Sequence, residues 1–198
     1  MILEYEYSET KPVFNQDELN SIISLSEHDM EDATIEADRS LHEADKIKSH
    51  RSSSISWLKR DDTTEFIYSK VLQLIYMENI NNNWNFEYDA IEDLQFTRYD
   101  KSQHYNWHSD QRSTAYIDEE LYGKIRKISF SIILNDDYEG GDFQFEVGAP
   151  YEEDRIITLT PSKGCAIVFP SFKFHRVTPV TKGVRYSLVG WICGKPFV

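Results

Sequence analysis

The feature that most limits what this chain can fold into is a change of texture after Trp84. From there on, short strand-like runs follow one another at 93–99, 127–134, 143–147, 155–159, 165–169, 174–178 and 184–193. Gly140-Gly141, the stretch 161–164, Pro170-Ser171 and Lys182-Gly183 punctuate them. Many short strands closed by turn residues predict an all-β sandwich or barrel. The aromatic content of 14% favours strands as well. A chain of 198 residues buries about 70% of its unfolded surface, so it needs no disulfide or structural metal to fold. One domain is expected over 1–198, with 1–83 as a helical and loop N-terminal layer and 84–198 as the β core.

The N-terminal part reads differently. Asn15-Gln16-Asp17-Glu18, followed by Leu19, Ile22, Ile23 and Leu25, predicts a capped amphipathic helix. Asp62 and Glu65 have capping-box spacing, and Phe66, Ile67, Val71, Leu74 and Ile75 recur at helical spacing behind them. Between the two helices, residues 28–49 are polar without a period and read as a surface loop or a lid. Residues 1–50 carry 13 acidic and 4 basic side chains, residues 51–110 carry 10 and 6, and residues 111–198 balance at 11 and 11. An acidic chain of net charge −13 with no basic stripe is poorly suited to general binding of nucleic-acid backbones. Cys165 and Cys193 sit in apolar runs and read as buried thiols. With no secretory segment and no apolar run of membrane length, a cytoplasmic location off the membrane is expected.

Chemistry concentrates in a few residues. His108 and Asp110 are two apart, so on an extended strand they share a face. His175 lies on a later strand-like run. Two imidazoles and a carboxylate can hold one face of an Fe(II) ion and leave the other positions open. Alone, an H-x-D tripeptide is more often a surface His beside an unrelated Asp. Arg185, ten residues after His175 in an apolar strand, adds weight, because an Arg there needs a partner once buried. Its guanidinium suits the distal carboxylate of 2-oxoglutarate. Tyr99 could add a hydroxyl, or could be a core aromatic.

From Arg51 to the C-terminus the sequence resembles the 2-oxoglutarate/Fe(II)-dependent dioxygenases of the prolyl-4-hydroxylase-like group, in their small bacterial and phage-borne form. The resemblance rests on Arg98-Tyr99 leading to His108-Ser109-Asp110, on Tyr138-Glu139-Gly140-Gly141-Asp142-Phe143, and on 161–171. It continues through His175-Arg176-Val177-Thr178-Pro179-Val180 and Gly183-Val184-Arg185-Tyr186-Ser187 to Trp191. One position departs: Ser102 stands where the family often has Gly.

The resemblance implies a mostly β fold with supporting helices, built on a double-stranded β-helix (jelly roll, cupin-like) core. It implies His108, Asp110 and His175 as iron ligands and Arg185 with Tyr99 as the 2-oxoglutarate anchor. Trp191 falls where related enzymes keep a Trp beside the cofactor, with a core role as the alternative. Arg51-Ser52 and Trp57-Leu58 are similar to a segment beside the substrate groove of prolyl hydroxylases, and Tyr105 is a further pocket candidate. The implied reaction consumes 2-oxoglutarate and O2, with ascorbate as a supporting reductant, and hydroxylates a prolyl residue in a protein or peptide. A free amino acid or other small molecule is the alternative substrate. A nucleic-acid demethylase fits less well, since Trp191 occupies the place of its second Arg, and a non-catalytic metal-binding jelly roll would not need Arg185. Related halogenases lack the carboxylate that Asp110 supplies, so hydroxylation is expected.

Overall fold

The computed structural model describes residues 3, 5–33, 50–112, 114–117, 119–148, 152 and 154–197. Most of the 28–49 stretch, from residue 34 on, lies outside the described residues. The strand-rich region rolls into two facing sheets. The larger runs β1 (Ser8–Glu9), β12 (Ala166–Pro170), β8 (Ile125–Ile133), β15 (Arg185–Gly194), β6 (Leu94–Tyr99), β4 (Ser54–Leu58), β2 (Glu31–Asp32), with β5 (Ala90–Ile91) also on β15. The smaller runs β11 (Ile156–Leu159), β10 (Phe143–Glu146), β13 (His175–Val177), β7 (His104–His108), β3 (Arg51–Ser52). A short ladder joins β9 (Glu139–Gly140) to β14 (Val180–Lys182). All pairings are antiparallel, and the whole is a jelly roll.

Strand alternation explains why the large sheet has two unlike faces. On β8, Ile128, Phe130 and Ile132 are fully buried against the helices, while Ser129 and Ser131 turn inward. On β15, Leu188 and Ile192 join the same apolar layer, whereas Arg185, Ser187, Val189 and Trp191 line the interior. On β6, Leu94 and Phe96 face the helices, and Gln95, Thr97 and Tyr99 face in. Gly190 leaves room where any Cβ would meet the Phe130 ring at 2.5 Å. Across the interior, Phe143, Phe145 and Val177 of the smaller sheet pack with Phe169 of β12.

Helix α1 (Gln16–Ser26) begins with the capping box of Asn15 and Glu18. Lys70 on α2 (Glu65–Asn81) meets Glu18 at 2.6 Å and ties the two helices. The expected Asp62 cap does not form. Asp61 instead accepts from the Thr63 and Thr64 amides at 2.8 and 3.0 Å, and the helix starts at Glu65, three residues after Asp62. Residues before 84 also contribute strands: β4 pairs with β6 along its whole length. Its alternation, Ile55 and Trp57 inward, is that of a sheet strand rather than a loop.

Candidate active site

Strands β7 and β13 are neighbours, and their register puts His108 opposite His175. β7 ends at His108, so Asp110 is not on the extended strand that its spacing suggested. The chain bends, and the amides of Asp110 and Gln111 both donate to the Ser171 carbonyl at 2.9 Å. That clamp turns the carboxylate toward both rings. His108 Nε2 lies 3.7 Å from Asp110 Oδ1, and His175 Nε2 lies 3.7 Å from Oδ2. These separations are too long for hydrogen bonds. They suit atoms that share one ion, each roughly 2.1 Å from it. The three ligand atoms lie within 4.8 Å of one another, and this is the one such cluster among the described residues.

Each imidazole is oriented by its far nitrogen. His108 Nδ1 donates to the Asn106 carbonyl at 2.7 Å, and His175 Nδ1 donates to the Lys173 carbonyl at 2.9 Å. A carbonyl cannot donate, so the proton sits on Nδ1 and the Nε2 lone pair faces the cluster. Tyr105 stacks on His108 with ring centroids 3.5 Å apart, and Phe143 stacks on His175 at 5.2 Å. Burial, then the charge of His175, push the His108 pKa down to about 3. Burial alone would raise the Asp110 carboxyl, but His175, His108, Arg126 and Ser129 outweigh it and hold it below its ordinary value. A neutral His108 ring and an ionised Asp110 carboxylate are states that binding a divalent ion requires.

The cluster borders a cavity of about 500 Å³ lined by both sheets. His108, Asp110, His175, Arg185, Tyr99, Trp191, Arg51, Trp57 and Tyr105 all line it. Arg185 is 1% exposed and sits beside Tyr99, its register partner. It donates from Nη1 to Ser187 Oγ at 3.0 Å, its Nε has no partner, and no carboxylate among the described residues pairs with it. The indole nitrogen of Trp191 is likewise buried without a partner. Trp57 is half-exposed at the rim.

A further group that no sequence motif marks, Arg126 with Glu92 and Tyr116, lines the same cavity. Arg126 grips Glu92 at 2.7 and 2.6 Å, Tyr116 donates to Glu92 at 2.7 Å, and the Arg126 guanidinium lies 3.8 Å over the Trp191 ring. The signal for Arg126 was the one that marked Arg185, a cation inside an apolar strand. The loop before β7 keeps the backbone that a Gly would adopt: Ser102 has φ +72, and its amide donates to the Val180 carbonyl at 2.7 Å.

A jelly roll that brings two histidines and one carboxylate together at a cavity has the architecture of mononuclear non-haem metal proteins. A model of the 2OG-Fe(II) oxygenase superfamily matches residues 94–193. The chain belongs to that superfamily, which implies Fe(II), 2-oxoglutarate and O2. It is 36% identical over 105 residues to a PKHD-type hydroxylase of Picosynechococcus, a stretch covering 52% of this chain and 42% of that protein. Against a PKHD-type hydroxylase of Idiomarina loihiensis the identity is 24% over 143 residues, covering 71% and 58%. The chain thus spans less than half the length of several curated relatives it matches.

Solved structures share the fold. The viral collagen prolyl hydroxylase of Paramecium Bursaria Chlorella virus-1 superposes with a TM-score of 0.68 at 18% identity, covering 96% of this chain and 97% of that one. A prolyl hydroxylase of Trichoplax adhaerens, solved with a hypoxia inducible factor peptide fragment, gives 0.71 at 16% identity, covering 96% and 84%. Among the described residues no helix is long and apolar enough to cross a membrane.

Proposed function

We propose that this chain is an Fe(II)- and 2-oxoglutarate-dependent dioxygenase that hydroxylates a prolyl residue in a protein or peptide. One observation carries the reading: a His-Asp-His cluster and a buried arginine with no carboxylate partner line the same cavity. The donor set fits the metal, since both Nε2 lone pairs and one ionised carboxylate converge. The orphaned Arg185 Nε fits a dicarboxylate, whose far end would complete that guanidinium with help from Ser187 and Tyr99. His108, Asp110 and His175 would hold the iron. Bound there, iron and 2-oxoglutarate supply an oxidant able to hydroxylate an unactivated C–H bond, with succinate and CO2 as the other products.

The chain's own residues do the rest. The Asn106 and Lys173 carbonyls keep both imidazoles in the metal-binding tautomer. The clamp on the Ser171 carbonyl aims Asp110. Phe143, Phe169 and Val177 give the cavity apolar surface, and the two Phe rings pack on His175. Trp191 packs beside Arg126, with its indole N–H free to meet a bound group. Arg51, Trp57 and Tyr105 line the side on which substrate would enter. Ascorbate would serve as a supporting reductant. The PKHD-type relatives and the fold shared with prolyl hydroxylases support the prolyl assignment. The test is mass spectrometry of host-lysate proteins incubated with the enzyme, Fe(II) and 2-oxoglutarate. A one-oxygen gain on proline is expected, and a gain seen only on small molecules would move the assignment to a free amino acid or other metabolite.

A further inference from the structure

We propose that the substrate oxidised in this cavity carries a carboxylate, and that Arg51 is the residue that reads it. The inference rests on the cavity being the place of oxidation. Arg51 enters on β3, the edge strand of the smaller sheet, opposite Tyr105. It is 8% exposed. Its Nε donates to Ser53 Oγ at 3.0 Å and its Nη2 to Gln95 Oε1 at 2.8 Å, both neutral acceptors. Its guanidinium lies 4.6 Å over the Tyr105 ring, and that ring stacks on His108. Arg51 is thus one aromatic ring removed from the proposed iron ligands.

The chain has 34 Asp and Glu residues, yet among the described residues none is paired with Arg51. A full positive charge has been buried against neutral oxygens, an arrangement whose desolvation cost only an anion offsets well. The neighbouring arginines differ. Arg126 already has Glu92, and Arg185 is taken by the far carboxylate of the co-substrate in the proposed function. Arg112 also lines the cavity and lies over the Tyr116 ring, 4.5 Å from its centroid, whereas Arg51 is a lining cation held by neutral groups among the described residues. A carbonyl could accept from its free edge, but only a carboxylate also brings an opposite charge to the buried guanidinium, so acid should be preferred over amide. The carboxylate has two possible sources: the α-carboxylate of a free or C-terminal residue, or an Asp or Glu side chain next to the oxidised residue in a peptide.

The test is binding to the full-length chain under anaerobic conditions, with Fe(II) and saturating 2-oxoglutarate so that Arg185 is occupied. Quenching of Trp57 and Trp191, which line the cavity, reports it. The probes are matched acid and amide pairs: propionate and propionamide, N-acetylproline and N-acetylprolinamide, and N-acetyl-Pro-Asp-amide and N-acetyl-Pro-Asn-amide. The expected result is tighter binding of acid than amide by about tenfold or more, a modest share of the attraction between opposite charges in a buried site. The preference should vanish in Arg51→Gln and return in part in Arg51→Lys, with near-ultraviolet circular dichroism reporting the fold of both variants. The second pair winning points to an α-carboxylate source, and the third to an acidic side chain. Equal binding of acids and amides, no saturable binding of any acid, or a preference that survives Arg51→Gln would overturn the proposal. Admitting air separates the two readings: acid preference without hydroxylated proline leaves Arg51 in this role and removes the prolyl assignment.

Discussion

Arg126 and Arg185 lie on adjacent strands, β8 and β15, and both line the cavity. Arg126 is saturated. It holds Glu92 with two hydrogen bonds, and Glu92 also accepts from Tyr116 and Cys193. Arg185 is more deeply buried, yet it has one hydroxyl partner and an Nε with none. The same side chain in the same sheet is therefore used in two ways. A buried ion pair completed inside the protein fixes the wall. A buried cation left incomplete destabilises the empty chain and gains its partner from a ligand. A cation of the second kind marks a binding site, because its cost has to be offset by something that binds.

The comparison can be broken most forcefully through stability. Removing one partner of a buried pair typically costs about 3–5 kcal/mol, so Glu92→Ala should lower the unfolding free energy of the ligand-free chain, measured by denaturant titration, by that amount. Arg185→Met should cost less than about 1 kcal/mol or stabilise, since it removes an uncompensated charge. Equal losses in the two variants would mean that Arg185 is as well paired as Arg126. Ligand binding should show the reverse order. Arg185→Met should weaken 2-oxoglutarate binding by about 2–5 kcal/mol, as expected for truncating one side of a buried charge pair. Calorimetric titration that found an unchanged affinity would move the anchor elsewhere.

The same contrast between completed and waiting groups extends to pH. His108 titrates at about 3 in the folded chain, against about 6.5 for an unperturbed histidine. Throughout that window the unfolded chain holds the extra proton. Stability of the metal-free protein should therefore fall as pH drops from about 6.5 towards 3, by up to about 1.4 kcal/mol per pH unit from this group. Asp110, with its depressed pKa, adds a loss in the same direction at the acid end. His108→Asn should flatten the slope between pH 6 and 4, and an identical slope in that variant would count against the burial of a neutral ring.

The smallest expected effect is steric. Gly141 has φ +65, and a Cβ there would meet Arg185 Cδ at 2.8 Å. Gly141→Ala should cost about 1–2 kcal/mol in backbone strain and raise the 2-oxoglutarate KM by displacing the guanidinium, while Gly123→Ala, in open space, should leave the KM unchanged.

Much of this was legible before any coordinates. The seven strand runs of the C-terminal part reappear within about two residues, because alternation and turn residues mark strands locally. The Gly-Gly turn and the apolar run around Arg185 were readable for the same reason. What was hidden depends on contacts far apart in sequence. Glu92 could not be matched to Arg126, nor Asp110 to the Ser171 carbonyl, without knowing that β5 and β8 both pair with β15 and that β7 pairs with β13. The two-residue strands β1, β2, β3, β5 and β9 are too short to show a period. β4 carries the alternation of Ile55 and Trp57, but at five residues behind the polar Arg51-Ser52-Ser53-Ser54 its place beside β6 is settled by pairing rather than by local pattern.

The most direct test follows 2-oxoglutarate itself. Purified chain with Fe(II), O2 and 2-oxoglutarate should form succinate, and His108→Ala, Asp110→Ala and His175→Ala should each reduce that rate to background while remaining folded. Succinate formation at the wild-type rate in any of the three would contradict the assignment of the cluster as the iron site.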